Sequence, residues 1–136
     1  MTIDLLLTCV AVLSRLAIAA LFLHEAWFKI THYALTIAYM ESFGVPSLLL
    51  PGAIAIELIG GLALVFGYQA RAAALMLAGF SITAALIFHL KWTDQNQLLH
   101  FEKDIAIAGG LLAFAMGPLL SRREQRQSPT TQRPTV

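Results

Sequence analysis

The sequence predicts an all-α membrane protein: a four-helix transmembrane bundle with an interfacial helix between helices one and two. Three observations carry this. The chain of 136 residues is 58% hydrophobic and 12% charged, with a mean hydropathy of +0.73. A soluble domain carries roughly 45–50% apolar and about 25% charged residues. Four apolar runs also come near the roughly 20 residues that a helix needs to cross a bilayer, and what separates them is short or polar.

The first run extends from about Leu5 to Trp27, with Arg15 its lone strong charge before Glu25. It has no basic leader and is too long for a signal peptide. Between His24 and Pro46, Phe28, Ile30, Tyr33, Leu35, Ile37, Met40 and Phe43 alternate with polar residues. That stretch predicts a helix lying on the membrane surface, closed by Gly44-Val45-Pro46. The second run extends from about Leu48 to Phe66, broken by Glu57. Gly67 is placed to cap it, in a tight turn ending at Arg71. The third run covers Ala72 to Leu90. A polar connection from Lys91 to His100 leads to the fourth, Ile105 to Leu120, whose helix can begin near Leu98 and carry Glu102, Lys103 and Asp104. Residues 1–120 form the membrane domain. Residues 121–136, with four Arg, two Pro and no aromatic residue, are expected to be a disordered cytoplasmic tail.

Lys and Arg in the connections set the orientation. With both termini cytoplasmic, Arg71, Arg122, Arg123, Arg126 and Arg133 lie inside, and Lys29, Lys91 and Lys103 outside. Trp27 and Trp92 then mark the outer interface.

Several chemistries are excluded. Net charge is +1, and the Arg residues gather in the tail rather than on a basic face, so nucleic acid is not a partner. Cys9 is the single cysteine, which removes an intrachain disulfide, a CxxC redox pair and any cysteine-rich metal site. His24, His32, His89 and His100 show no ligand spacing on one helix face, so no metal is expected. No nucleophile with a base, phosphate loop or dinucleotide fingerprint is present. No intrinsic cofactor is therefore expected.

Charges within a bilayer need a reason. Arg15 and Glu57 each lie about ten residues from either end of their runs, which places both near the midplane and predicts a direct ion pair. Gly60 and Gly61 suggest open space beside the carboxylate. A second polar layer lies toward the outer face. Arg15, Phe22, Ala26 and Lys29 share a stripe of the first helix, with Glu25 at its edge. His89 closes the third helix, and Lys103 and Asp104 open the fourth. Together these residues are expected to line a funnel from the outer surface to the midplane. Glu57 is the candidate proton-exchanging group and His89 the candidate relay, because imidazole titrates near neutrality. Arg15, Lys29, Lys103 and Asp104 are candidate ligand contacts. Runs of small residues, Ala70-Ala74-Ala78 and Gly109-Ala113-Gly117, suit close helix packing within the bundle or in a homodimer.

The ordered set of Arg15-Leu16, Phe22, Trp27-Phe28-Lys29-Ile30, Tyr39-Met40-Glu41, Gly44-Val45-Pro46, Glu57 with Gly60-Gly61, Gly67 with Arg71, Phe88-His89, and Lys103 with Ile105 to Gly110 resembles the DoxX family, close to its short YqjF-type inner-membrane members. It covers about residues 10–120. The resemblance implies a four-helix bacterial inner-membrane protein. The family takes its name from subunits associated with thiosulfate–quinone oxidoreduction, and other members are linked to oxidative stress. Asp104 stands where members commonly carry Asn.

Three functions follow. One is a redox-associated subunit that handles a quinone or small aromatic at the Arg15 and Glu57 site, with a partner protein supplying electrons. The others are a protein that binds or exports small molecules and a scaffold that anchors enzymes at the membrane.

Overall fold

The computed structural model describes residues 2–90 and 93–127, with backbone alone for 120–122 and 124–127. It is all-helical. Helix α1 spans Ile3–Thr31, α2 Tyr33–Ser42, α3 Leu50–Phe66, α4 Ala70–Phe88 and α5 Gln95–Gln127, with one 3-10 turn over Ser47–Leu49. Among the described residues, three segments are long and apolar enough to cross a membrane: Ile3–Thr31, Ser47–Phe66 and Ala70–Phe88.

Local chemistry sets the boundaries. Asp4 in the first turn and Lys29 in the last complement the dipole of α1. The chain breaks at His32 and restarts as α2, a helix much shorter than the whole interval from His24 to Pro46. Lys29 belongs to α1, as its stripe with Arg15, Phe22 and Ala26 predicts. Pro51 in the first turn of α3 gives up a backbone donor that has no helical partner. Gly67 ends α3 in the left-handed conformation, φ +72°, as its position after Phe66 predicts. Asp94 Oδ1 accepts the Asn96 amide at 2.9 Å and starts α5. Helix α5 continues through Pro118 to Gln127, past the expected domain edge at Leu120. Residues 128–136 lie outside the described residues, as do Lys91 and the interface marker Trp92.

Helix α1 packs on α3, α3 on α4, and α4 on α5. Antiparallel register follows from specific contacts. A Cβ built on Gly61 would meet Leu23 at 2.9 Å, and one built on Gly67 would meet Arg15 at 3.0 Å. At the other end of the bundle, Lys29 reaches Glu57. Between α4 and α5, Arg71 Nε donates to the Ala115 carbonyl at 3.1 Å, while His89 faces Gln97 and Asp104.

The core consists largely of small residues, among them Ala19, Ala74, Ala78, Ala108 and Ala115, with Phe22, Leu64, Leu77 and Leu111 between them. Helices lined this way approach closely without a driving force from water. The stripe Ala70-Ala74-Ala78 thus serves the bundle through Ala74 and Ala78. On α5 the packed stripe is Ala108, Leu111 and Ala115, whereas Gly109, Ala113 and Gly117 are exposed.

Gly60 and Gly61 correct one expectation. They make no space beside Glu57, because a Cβ on Gly60 would lie 2.7 Å from Leu77 Cγ, and Leu23 closes on Gly61. Both glycines are packing contacts.

Candidate ligand-binding site

Glu57 lies two turns into α3 and is 2% exposed. Its Oε1 accepts from Lys29 Nζ at 2.8 Å, and the same ammonium reaches Glu25 Oε2 at 3.2 Å. Glu57 Oε2 is buried without a hydrogen-bond partner. A buried carboxylate carries a large desolvation cost unless its oxygens are met, so Lys29 offsets only part of it.

The expected pair between Arg15 and Glu57 does not form. Arg15 lies at the opposite end of α3, against Gly67, and its Nε is buried without a partner. The reason is register. Helix α1 is not centred on α3: the contact of Ala19 and Leu23 with Gly61 brings the C-terminal half of α1 alongside α3. The level of Glu57 on α1 is therefore that of Glu25 and Lys29. The predicted stripe itself holds, since Ala19, Phe22 and Ala26 are buried on it.

A second polar group sits where α4 meets α5. His89 Nδ1 is 2.7 Å from Gln97 Oε1. Its Nε2 faces Asp104 Oδ2 at 3.7 Å, and Lys103 Nζ lies 3.9 Å from Asp104 Oδ1. The His100 ring stacks on His89 with centroids 5.2 Å apart. Tyr39, Phe43 and Phe88 form an aromatic cluster beside them. Burial pushes the Tyr39 hydroxyl above its ordinary pKa; a hydrogen bond with Gln97 opposes this and the Asp104 charge adds to it.

A cavity of about 750 Å³ joins the two groups. Glu25, Lys29, Glu57, His89, Lys103 and Asp104 all line it; Arg15 does not. Thus, among the expected site residues, Lys29, Glu57, His89, Lys103 and Asp104 come together and Arg15 is set apart. The opening beside Glu57 lies toward Gly52, Ala53 and Ile56 rather than Gly60 and Gly61.

Sequence reasoning missed Gln97, His100, Tyr39 and Ser81 on the cavity wall. A signal existed for two of them. Asp94 is an N-cap residue, and a helix begun there puts Gln97, His100 and Asp104 on one face at three- and four-residue spacing. Among the described residues no group of His, Cys, Asp and Glu could hold a metal ion.

Residues 10–90 match the DoxX family. The chain is 42% identical over 106 residues to inner membrane protein YqjF of Escherichia coli K12, covering 77% of this chain and 82% of that protein. It is 27% identical over 114 residues to inner membrane protein YphA of the same strain, covering 78% and 81% respectively. No solved structure matches. The extent of the family match and the identity to YqjF settle the assignment: this chain belongs to the DoxX family.

Proposed function

We propose that the protein is an integral component of the bacterial inner membrane that binds a quinone or a similar small aromatic carrier within its helical bundle, as a redox-associated subunit. The observation that carries this reading is the cavity that reaches the buried Glu57. Sites for small molecules commonly measure about 300–1,000 Å³ and are mostly apolar, with a few convergent polar groups. Here the walls are largely aromatic and aliphatic, and the polar groups include Lys29, Glu57 and the His89 cluster. A quinone oxygen accepts from the Lys29 ammonium, and a quinol hydroxyl donates to Glu57 Oε2, which has no partner of its own. His89 and Asp104 carry the proton outward, and a partner redox protein exchanges the electrons. The names of both relatives support the inner membrane as the location.

The test is equilibrium binding of a short-chain benzoquinone and its quinol to the purified protein in lipid nanodiscs. Saturable binding of either is expected. Its absence for both forms overturns the proposal.

The same proposal includes the topology. Ile105 to Leu120 of α5 is the fourth span, α2 lies at the outer interface, and both termini are cytoplasmic. The exposed Gly109, Ala113 and Gly117 suit a second copy of the chain. Reporter fusions at Ser128 should read cytoplasmic, and a periplasmic signal there would sink this topology.

A further inference from the structure

Helices α3 and α4 press together at one level and part at another, and two glycines of α3 mark the difference. A Cβ on Gly60 would lie 2.7 Å from Leu77 Cγ, whereas a Cβ on Gly52 would meet nothing within 4 Å. Gly52 lies about two turns, or roughly 12 Å, nearer the start of α3. The helices are antiparallel, so this level on α4 is that of Ala84 and Ala85. Here the cavity that reaches Glu57 comes to the surface. Gly52 has no side chain, yet it is both exposed and part of the cavity wall. Leu49 beside it, and Thr83 and Ile87 on α4, are likewise exposed and part of the wall. The Thr83 hydroxyl donates to the Gly79 carbonyl of its own helix at 2.8 Å, which leaves the methyl as its free end. The opening is therefore apolar. All four residues belong to Ser47–Phe66 and Ala70–Phe88, segments long and apolar enough to cross a membrane. An opening between two such helices faces acyl chains rather than water. Where α5 contributes to the rim, Asn96 and Lys103 make it polar.

Given a quinone in the cavity, the reading on which this rests, we propose that the ligand is a bilayer-dissolved carrier with a long prenyl tail, which enters sideways between α3 and α4 and leaves its tail in the lipid there. Size and placement both select a tailed ligand. A cavity of about 750 Å³ encloses a ring with a short substituent, the size range of a drug-like molecule. A long tail has to leave it. The apolar opening supplies the exit close to the ring, because Gly52 precedes Glu57 by less than two turns of the same helix. A water-soluble aromatic would gain nothing from an opening into lipid. The tail exchanges one apolar surrounding for another, so it costs no desolvation and needs no dedicated pocket. Lys29 and Glu57 hold the ring, and the α3–α4 opening decides which molecules can bring a ring to them.

The test uses the full chain in lipid nanodiscs and two benzoquinones with the same ring, one without a tail and one with a long prenyl tail. Affinities are referred to the concentration of each compound in the bilayer, which removes the effect of partitioning. The wild type should then bind both alike. Gly52→Phe puts a ring into open space at the opening and should weaken the tailed compound at least about tenfold, while the tail-less one stays within about twofold. Thr83→Phe narrows the same opening from α4 and should do likewise, which keeps the test valid should Gly52→Phe fail to fold. Three results would overturn the inference and leave the cavity reading standing: tailed binding unchanged in both variants, equal loss of both compounds in the variants, or a wild type that binds the tail-less compound and refuses the tailed one. A wild type that binds neither compound defeats the cavity reading itself, and this inference with it.

Discussion

Lys29 Nζ stands between two carboxylates, 2.8 Å from Glu57 Oε1 on α3 and 3.2 Å from Glu25 Oε2 on its own helix. The two contacts are unequal. Glu57 is buried, whereas the Glu25 side chain is 40% exposed and keeps water for company. The interhelical contact therefore holds the cavity floor, and the i, i+4 contact steers the ammonium.

Removing Lys29 should do more harm than removing either acid. Lys29→Met leaves a buried carboxylate unpaired, at a cost of roughly 3–5 kcal/mol. Glu57→Gln still offers an oxygen to Lys29, which retains Glu25, so its cost should be smaller. Glu25→Gln should stay within about 1 kcal/mol, as expected for a partly exposed pair. Thermal unfolding in one detergent ranks the three variants, and Lys29→Met combined with Glu57→Leu should recover much of the loss. If Glu25→Gln proves the most damaging, the assignment of Glu57 as the dominant partner is wrong.

The glycines divide into two classes that melting temperatures can separate. Gly60→Ala and Gly61→Ala each drive a methyl to within 3.0 Å of a leucine side chain. Overpacking of this kind costs about 1–3 kcal/mol. Gly109→Ala meets nothing within 4 Å and should be neutral or stabilising by up to about 1 kcal/mol, the helix preference of alanine over glycine. Equal effects at Gly60 and Gly109 would contradict the packing described.

How much of this was legible follows from what a sequence records. An apolar run records that a helix forms, and left-handed Gly67 after Phe66 is a purely local requirement, so both were readable. Register is not local. Arg15 sits in the middle of its apolar run, yet the fit of Ala19 and Leu23 against Gly61 slides α1 along α3 and brings Lys29 to Glu57 instead. Gly60 and Gly61 were ambiguous for a related reason: a glycine marks close approach or empty space, and only the neighbours, Leu77 and Leu23, decide which. His100 was hidden because a polar connection masked the capped start of α5.

Tyr39 reports whether α2 docks over the cavity. Burial favours its neutral form, so its pKa lies above the ordinary value. The folded state then holds its proton where the unfolded state has released it. The resulting stability is full below the unfolded pKa and is lost as pH rises through the folded one. Phenolate absorbance should show a late step among the three tyrosines, and Tyr39→Phe should remove that step. If the late step persists in Tyr39→Phe, it belongs to another tyrosine and α2 does not dock Tyr39 over the cavity.

Filling the cavity should abolish ligand binding without touching its charges. Ala53 lies on the cavity wall one turn before Glu57 and is only half-buried. A phenylalanine there can extend into existing space, so the bundle should keep its melting temperature while the cavity loses volume beside the carboxylate. Quinone affinity should fall at least about tenfold, a penalty of about 1.4 kcal/mol. The same substitution at Ala113, exposed on α5 away from the cavity, should leave affinity unchanged. Binding that survives Ala53→Phe but is lost with Ala113→Phe would place the ligand on the outer face of α5 instead of beside Glu57.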